Sequence, residues 1–246
     1  VVRDGREWLL RHYSAVNFRC LSISATNIES EGTLIMNSTN NTFLVGHTIE
    51  LRVPSEDDIW KSNWHSWYND IETTRHNSHG IYPISVQQEA EIIQNNMNRN
   101  DSIVCSVYDL NTKKLVGNTA LQNIDLIHRN CNIAITIGEQ TSFSAAVEAY
   151  GLLCTHAFMR LNLERISDAT HENLKKLVTM LSVLGIQEEG IIEKCFFRDD
   201  KWYSKINFGI LREDFLSLQS LRSGKILFEN KKELDRAIIE AVKASK

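Results

Sequence analysis

Between Ala146 and Leu161 the chain sets Val147, Tyr150, Cys154, Ala157, Phe158 and Leu161 at the spacing of one helical face, with Ala146 and Leu153 on its flanks. That spacing predicts a buried amphipathic helix. The segments around it are strand-sized: Ile103–Tyr108, Leu115–Gln122 and Asn132–Ile137 before it, Arg165–Thr170 after it. A long helix on a set of short strands is an α/β arrangement.

The other elements carry local punctuation. Thr48–Val53 reads as a strand stopped by Pro54. Ser55 is placed to cap a helix running through EDDIWKSNWHSWYND, and Ser85 to cap a second, SVQQEAEIIQNNM, with Gln88 at the capping-box position. Val86, Ala90 and Ile93 form the apolar stripe of that second helix. Glu172–Leu184 is a helix closed by Gly185. Ile191–Arg198 and Trp202–Leu211 form a hairpin about Asp199, Asp200 and Lys201. Leu234, Ile238 and Val242 share one face of a terminal helix. Residues 1–43 differ: Val16, Phe18 and Cys20 alternate as a half-buried strand does, Thr33–Met36 is another candidate, and polar clusters lie between and after them.

With 42% apolar and 24% charged residues, the 246-residue chain has an ordinary globular composition. A formal charge of −4 gives no basic field for nucleic acid or an anionic membrane, so neither partner is expected. No apolar run approaches the roughly 20 residues of a membrane span. The opening VVRDGREWLLRHYS has no apolar core of the secretory kind. Five scattered cysteines, none in a C-x-x-C pair, argue against a disulfide framework or a zinc site, and for a reduced, cytoplasmic chain. His76 and His79, three apart, have no further ligand in register, so no metal is expected.

The order of elements, with VGHTIELRVPSEDD, WHSWYNDIETTRH, LNLERI followed by THEN, LGIQEEG and KCFFRDDKWYSKINFGILREDF at these separations, resembles the GNAT N-acetyltransferases. The branch resembled holds ribosomal-protein N-terminal, polyamine and nucleotide-amino-sugar acetyltransferases. The resemblance implies a mixed, mostly antiparallel sheet flanked by helices over residues 44–216, with an N-terminal extension, 1–43, and a helical tail, 217–246. It implies acetyl-CoA as co-substrate and a small-molecule amine as acceptor, a nucleotide-linked amino sugar or polyamine ahead of a protein N-terminus. A non-catalytic binding or interaction module is the alternative.

The resemblance also assigns residues. The family's pyrophosphate loop, Q/R-x-x-G-x-G/A, aligns with Thr141-Ser142-Phe143-Ser144-Ala145-Ala146, where only Ala146 keeps the pattern and Ser144 replaces the central glycine. Ser142, Phe143, Ser144, Ala145 and Ala146 are thus the candidate phosphate-binding residues, with the small Ser142, Ser144 and Ala145 admitting a phosphate and the hydroxyls donating to it. In the other reading these serines only cap the helix. Ile135 and Ile137 fall on the strand that pairs with the pantetheine arm, and Asn173 matches the family's arm-holding Asn or is itself a helix cap. Asn132 stands where the family often has an acid. Asp168 and Tyr203 are the candidates to substitute in proton transfer, although a capping carboxylate and a packed tyrosine are the more ordinary roles for these residues. Trp67, Tyr68, Asn69 and His76 are the acceptor-site candidates, offering aromatic faces beside polar groups. Trp64 and Trp67, three apart, are also the pattern of a core stripe.

Overall fold

A computed structural model describes residues 41–77, 81–221 and 228–245. The strands expected at 16–20 and 33–36, and His79, lie outside the described residues. One eight-stranded sheet runs in the order β1-β2-β3-β4-β5-β6-β8-β7. Its strands are β1 (Thr42–Val45), β2 (Ile49–Arg52), β3 (Ile103–Asp109), β4 (Leu115–Asp125), β5 (Asn130–Ile137), β6 (Arg165–His171), β7 (Gln187–Arg198) and β8 (Lys201–Leu211). Every pairing is antiparallel except β5 with β6. The mixed α/β sheet flanked by helices is the architecture the sequence implies, although β1 begins at Thr42, inside the expected extension.

The helix expected from Ser55 through Asp70 is three short helices: α1 (Glu56–Trp60), α2 (Trp64–Asn69) and α3 (Ile71–Thr74). The Ser62 hydroxyl causes the first break: it donates to the Asp58 carbonyl and accepts from the Trp64 amide, competing with the helical ladder. Asp70 makes the second, its carboxylate accepting from the Thr73 amide as an N-cap. The predicted capping boxes at Ser55 and Ser85 are both present, the latter opening α4 (Val86–Met97).

The long helix α5 (Ala145–Met159) packs its fully buried Val147, Tyr150, Leu153, Cys154 and Phe158 on the sheet. Fully burying each such side chain contributes about 1.5–3 kcal/mol. Glu148, in the first turn, is also fully buried. Its carboxylate accepts from the amides of His47, Thr48 and Ile49 and from the Thr48 hydroxyl, at 2.9–3.2 Å, so the turn between β1 and β2 satisfies it completely.

The helix expected over Glu172–Leu184 is a 3-10 turn, then α6 (Lys175–Leu181), then a second 3-10 turn that ends at Gly185 with φ +90°. Its cap is His171, whose Nδ1 accepts from the Asn173 amide at 3.1 Å, so Asn173 is not the capping residue. The hairpin turn has Asp199 and Asp200 at φ +49° and +59°. Two positive angles in a two-residue loop match the twist of β7 and β8. Sequence reading missed α7 (Arg212–Leu221), which crosses the 216/217 boundary; α8 (Lys231–Ala244) buries Leu234 and Ile238 as predicted.

Candidate active site

The parallel pairing of β5 and β6 is two residue pairs long, Asn130 with Arg165 and Cys131 with Ile166. Where the next rung belongs, the Asn132 side chain donates from Nδ2 to the Ser167 carbonyl at 2.6 Å. Beyond it the strands part, and a cleft of about 700 Å³ opens between Ile133–Ile137 of β5 and Asp168–His171 of β6. The exposed strand edges there carry backbone groups without a ladder partner, which an extended ligand can satisfy.

Side chains alternate across a strand, so Asp168 shares the face of Ile166, buried toward α5, while Ala169 and His171 look the other way. On the α5 face Asp168 lies near Tyr150, whose buried hydroxyl has no hydrogen-bond partner. Burial pushes the Asp168 carboxyl up to about 7, against the opposing pull of the Ala169 amide, 2.7 Å away, and of Lys205. On the opposite face the Tyr68 hydroxyl donates to Asn118 Oδ1 at 3.2 Å. Burial holds its phenol above the usual value, and the nearby Glu89 charge acts in the same direction.

The predicted acceptor residues divide. Tyr68 and His76 line the cleft, the His76 ring 4.9 Å from His171. Burial, then the neighbouring His76, lowers the pKa of His171. Trp64 lines it too, but Trp67 does not: it is 4% exposed, its indole N–H donates to Glu139 at 3.1 Å, and its ring covers Gly138 so closely that a Cβ there would overlap it. Trp67 is thus core, and Trp64, equally buried, is core that also borders the cleft. Asn69 is a clasp, donating to the Ile84 carbonyl at 2.7 Å and accepting from the Ile84 amide at 2.8 Å. Tyr203 packs on His171, centroids 4.7 Å apart, outside the lining.

Ile135, Ile137 and Ala146 line the cleft, the last at the N-terminus of α5. First-turn amides such as those of Ala146 and Val147 have no carbonyl to bond within a helix and face outward to an anion. Ser144 and Ala145 are fully buried. Ser144 makes no side-chain cap; its hydroxyl bonds that of Ser142 at 2.9 Å, and Thr141 donates to Asp109 at 2.8 Å. The two serine hydroxyls therefore serve one another, and that of Thr141 serves β3. Phe143 is half exposed, with the Lys231 ammonium 5.9 Å from its ring centre, and Asn173 is exposed beside the cap of the next helix.

Among the lining residues that the sequence does not single out, one carboxylate stands apart. Glu89 on α4 is 6% exposed, accepts no hydrogen bond among the described residues, and is pushed by burial up to about 7. The signal was present: Glu89 falls on the stripe of Val86, Ala90 and Ile93, where a carboxylate does not belong unless it faces something.

The fold recurs among solved structures. A spermidine N-acetyltransferase from Vibrio cholerae, solved with CoA and spermine, superposes with a TM-score of 0.61 at 23% identity over 69% of this chain and 98% of that one. A GNAT-family acetyltransferase from Bacillus anthracis gives 0.58 at 17% identity over 70% and 99%. At these identities the likeness is one of fold. No curated protein matches. The family model described as the acetyltransferase (GNAT) domain matches residues 48–187, more than half of the sequence and the whole stretch from β2 to the start of β7, and the chain belongs to that family.

Proposed function

We propose that the protein transfers an acetyl group from acetyl-CoA to a small-molecule amine, a polyamine or nucleotide-linked amino sugar ahead of a protein N-terminus. The single observation that carries this reading is the fork between β5 and β6, with unpaired strand edges on both sides and the α5 N-terminus at one end. The residues present fit the co-substrate: the β5 edge at Ile135–Ile137 would hold the pantetheine arm, and the first-turn amides of α5 the pyrophosphate. Bound acetyl-CoA supplies the thioester, whose carbon takes the amine lone pair as the C–S bond breaks; of two protons leaving an ammonium acceptor, one ends on the CoA thiol and one on solvent.

Asp168 is proposed as the proton acceptor. A carboxylate held near 7 takes a proton from an amine, or from water beside it, at physiological pH. Tyr203 supports the site indirectly, by fixing the His171 ring at the far end of β6. Positioning of amine and thioester in the fork provides the larger share of the rate, several kcal/mol of barrier reduction, ~7 at the lower end for well-oriented pairs.

The test is a thermal-shift titration with acetyl-CoA followed by an amine screen read through released thiol. Stabilisation by acetyl-CoA with amine-dependent thiol release is the expected result. Stabilisation without release for any amine favours a binding module, and no stabilisation at millimolar acetyl-CoA removes the reading.

A further inference from the structure

The cleft is wider than the reaction at the fork requires. From β6 it runs beneath Tyr68 and across β4 to α4, which lies over β3, so that Glu89 and Val104 line one end and Asp168 the other. The lining holds three carboxylates, Glu72, Glu89 and Asp168, and among the described residues no lysine or arginine. Glu72 is engaged by Arg75 at 2.7 Å and exposed. Glu89 has no such partner.

A carboxylate removed from water without a donor is costly, and it persists where a ligand completes it. Tyr68 and Trp64 line the same cleft, and Tyr68 is near enough to Glu89 to feel its charge. Aromatic faces next to an unpaired carboxylate favour an alkylammonium, through cation–π attraction and a charge-assisted hydrogen bond. The Asn118 Nδ2, which has no hydrogen-bond partner, and the Tyr68 hydroxyl belong to the same lining, as do the titratable Glu72 and His76. Neither Glu72 nor His76 offers Glu89 a fixed positive charge.

Distance separates this end from the reacting one. The fork lies at the β5–β6 boundary and Glu89 stands over β3 and β4, roughly two strand spacings or about 10 Å away. An amine reacting at the fork therefore does not occupy Glu89 with the same nitrogen. Resting on the acetyl-transfer reading, we infer that Glu89 binds a second, non-reacting ammonium, and that the acceptor is an aliphatic diamine spanning the cleft.

Two measurements on the full chain test this. In the first, the Glu89 carboxyl is followed by 13C NMR across pH, assigned with Glu89→Gln, in the presence of α,ω-diamines from 1,4-diaminobutane to 1,8-diaminooctane. Its midpoint is expected to fall by one pH unit or more with at least one diamine; a midpoint that no diamine moves at 10 mM overturns the site. This readout uses the wild-type protein and needs neither turnover nor acetyl-CoA. In the second, diamines are compared with n-alkylamines of equal length. The best diamine should exceed its monoamine at least tenfold in kcat/KM, and Glu89→Gln should close that gap through KM with kcat within threefold. Equal use of mono- and diamines overturns the diamine inference. A midpoint that moves while no amine is acetylated keeps the ammonium site and removes acetyl transfer instead.

Discussion

Asn132 and Ser167 form the last bond across β5 and β6, a side-chain amide on a backbone carbonyl at 2.6 Å, and the cleft begins where that bond ends. Asn132 also accepts from Asn123 at 3.0 Å, so its amide is fixed from both sides. Asn132→Ala should cost about 1 kcal/mol in urea unfolding, the net value of one such bond. Asn132→Asp, which restores the residue type the family often has here, should cost more at pH 7, about 2 kcal/mol, because it turns an acceptor toward the Ser167 carbonyl. The ordering of the two variants is the check.

Glu89 ties activity to stability through pH. Its folded pKa of about 7 exceeds the ordinary 4.5, so between those values the folded protein keeps a proton that the unfolded chain has lost. Stability contributed by the protonated form is full below about 4.5, declines as pH rises, and is gone above about 7. Glu89→Gln has no such titration. It should therefore be more stable than wild type at pH 8, by about 2 kcal/mol, and not at pH 4. Urea unfolding at the two pH values measures this; equal stability differences at both would show that Glu89 does not titrate in this window.

Ser144, which the resemblance sets at the family's pyrophosphate glycine, is at φ −86°, an angle any residue adopts. Its side chain is buried and bonded to Ser142, which turns its hydroxyl into the loop. Ser144→Gly should leave the acetyl-CoA affinity within twofold while lowering stability by about 1 kcal/mol through the lost bond and added chain freedom. Calorimetric titration beside a melting curve separates these effects, and a tenfold tighter affinity would mean that the loop is crowded.

Asp168→Asn should remove the rise of kcat/KM between pH 6 and 8 and lower its plateau about 100-fold, the middle of the range for one general base. A pH–rate profile with the best acceptor checks it. An unchanged profile leaves proton transfer to solvent.

Much of this architecture was legible because its signals are local. Serine caps, a two-aspartate turn and the stripe of α5 each declare themselves within a few residues. The break of the first helix was not, since Ser62 opposes a helical pattern that still runs through the tryptophans around it. The candidate site was readable only in fragments. Asp168, Tyr68, His76, Ile135 and Ile137 were named from the family likeness and do line the cleft. Whether Trp64 or Trp67 reaches it depended on which way a six-residue helix turns. Glu89 required knowing that α4 covers the far end of the fork, a fact of sheet order rather than of its own neighbours.

Glu148 fastens the turn before β2 to the first turn of α5, across about a hundred positions of sequence. Opening either end leaves a charged group buried without donors, so the two must detach together. Amide exchange at His47–Ile49 and at the start of α5 should accordingly share one opening rate. A fragment trimmed to residues 48–187 would lose the His47 donor and all of β8, and would lack the means to close. The boundaries by which the family is recognised are therefore narrower than the sheet and the buried carboxylate site they cut through.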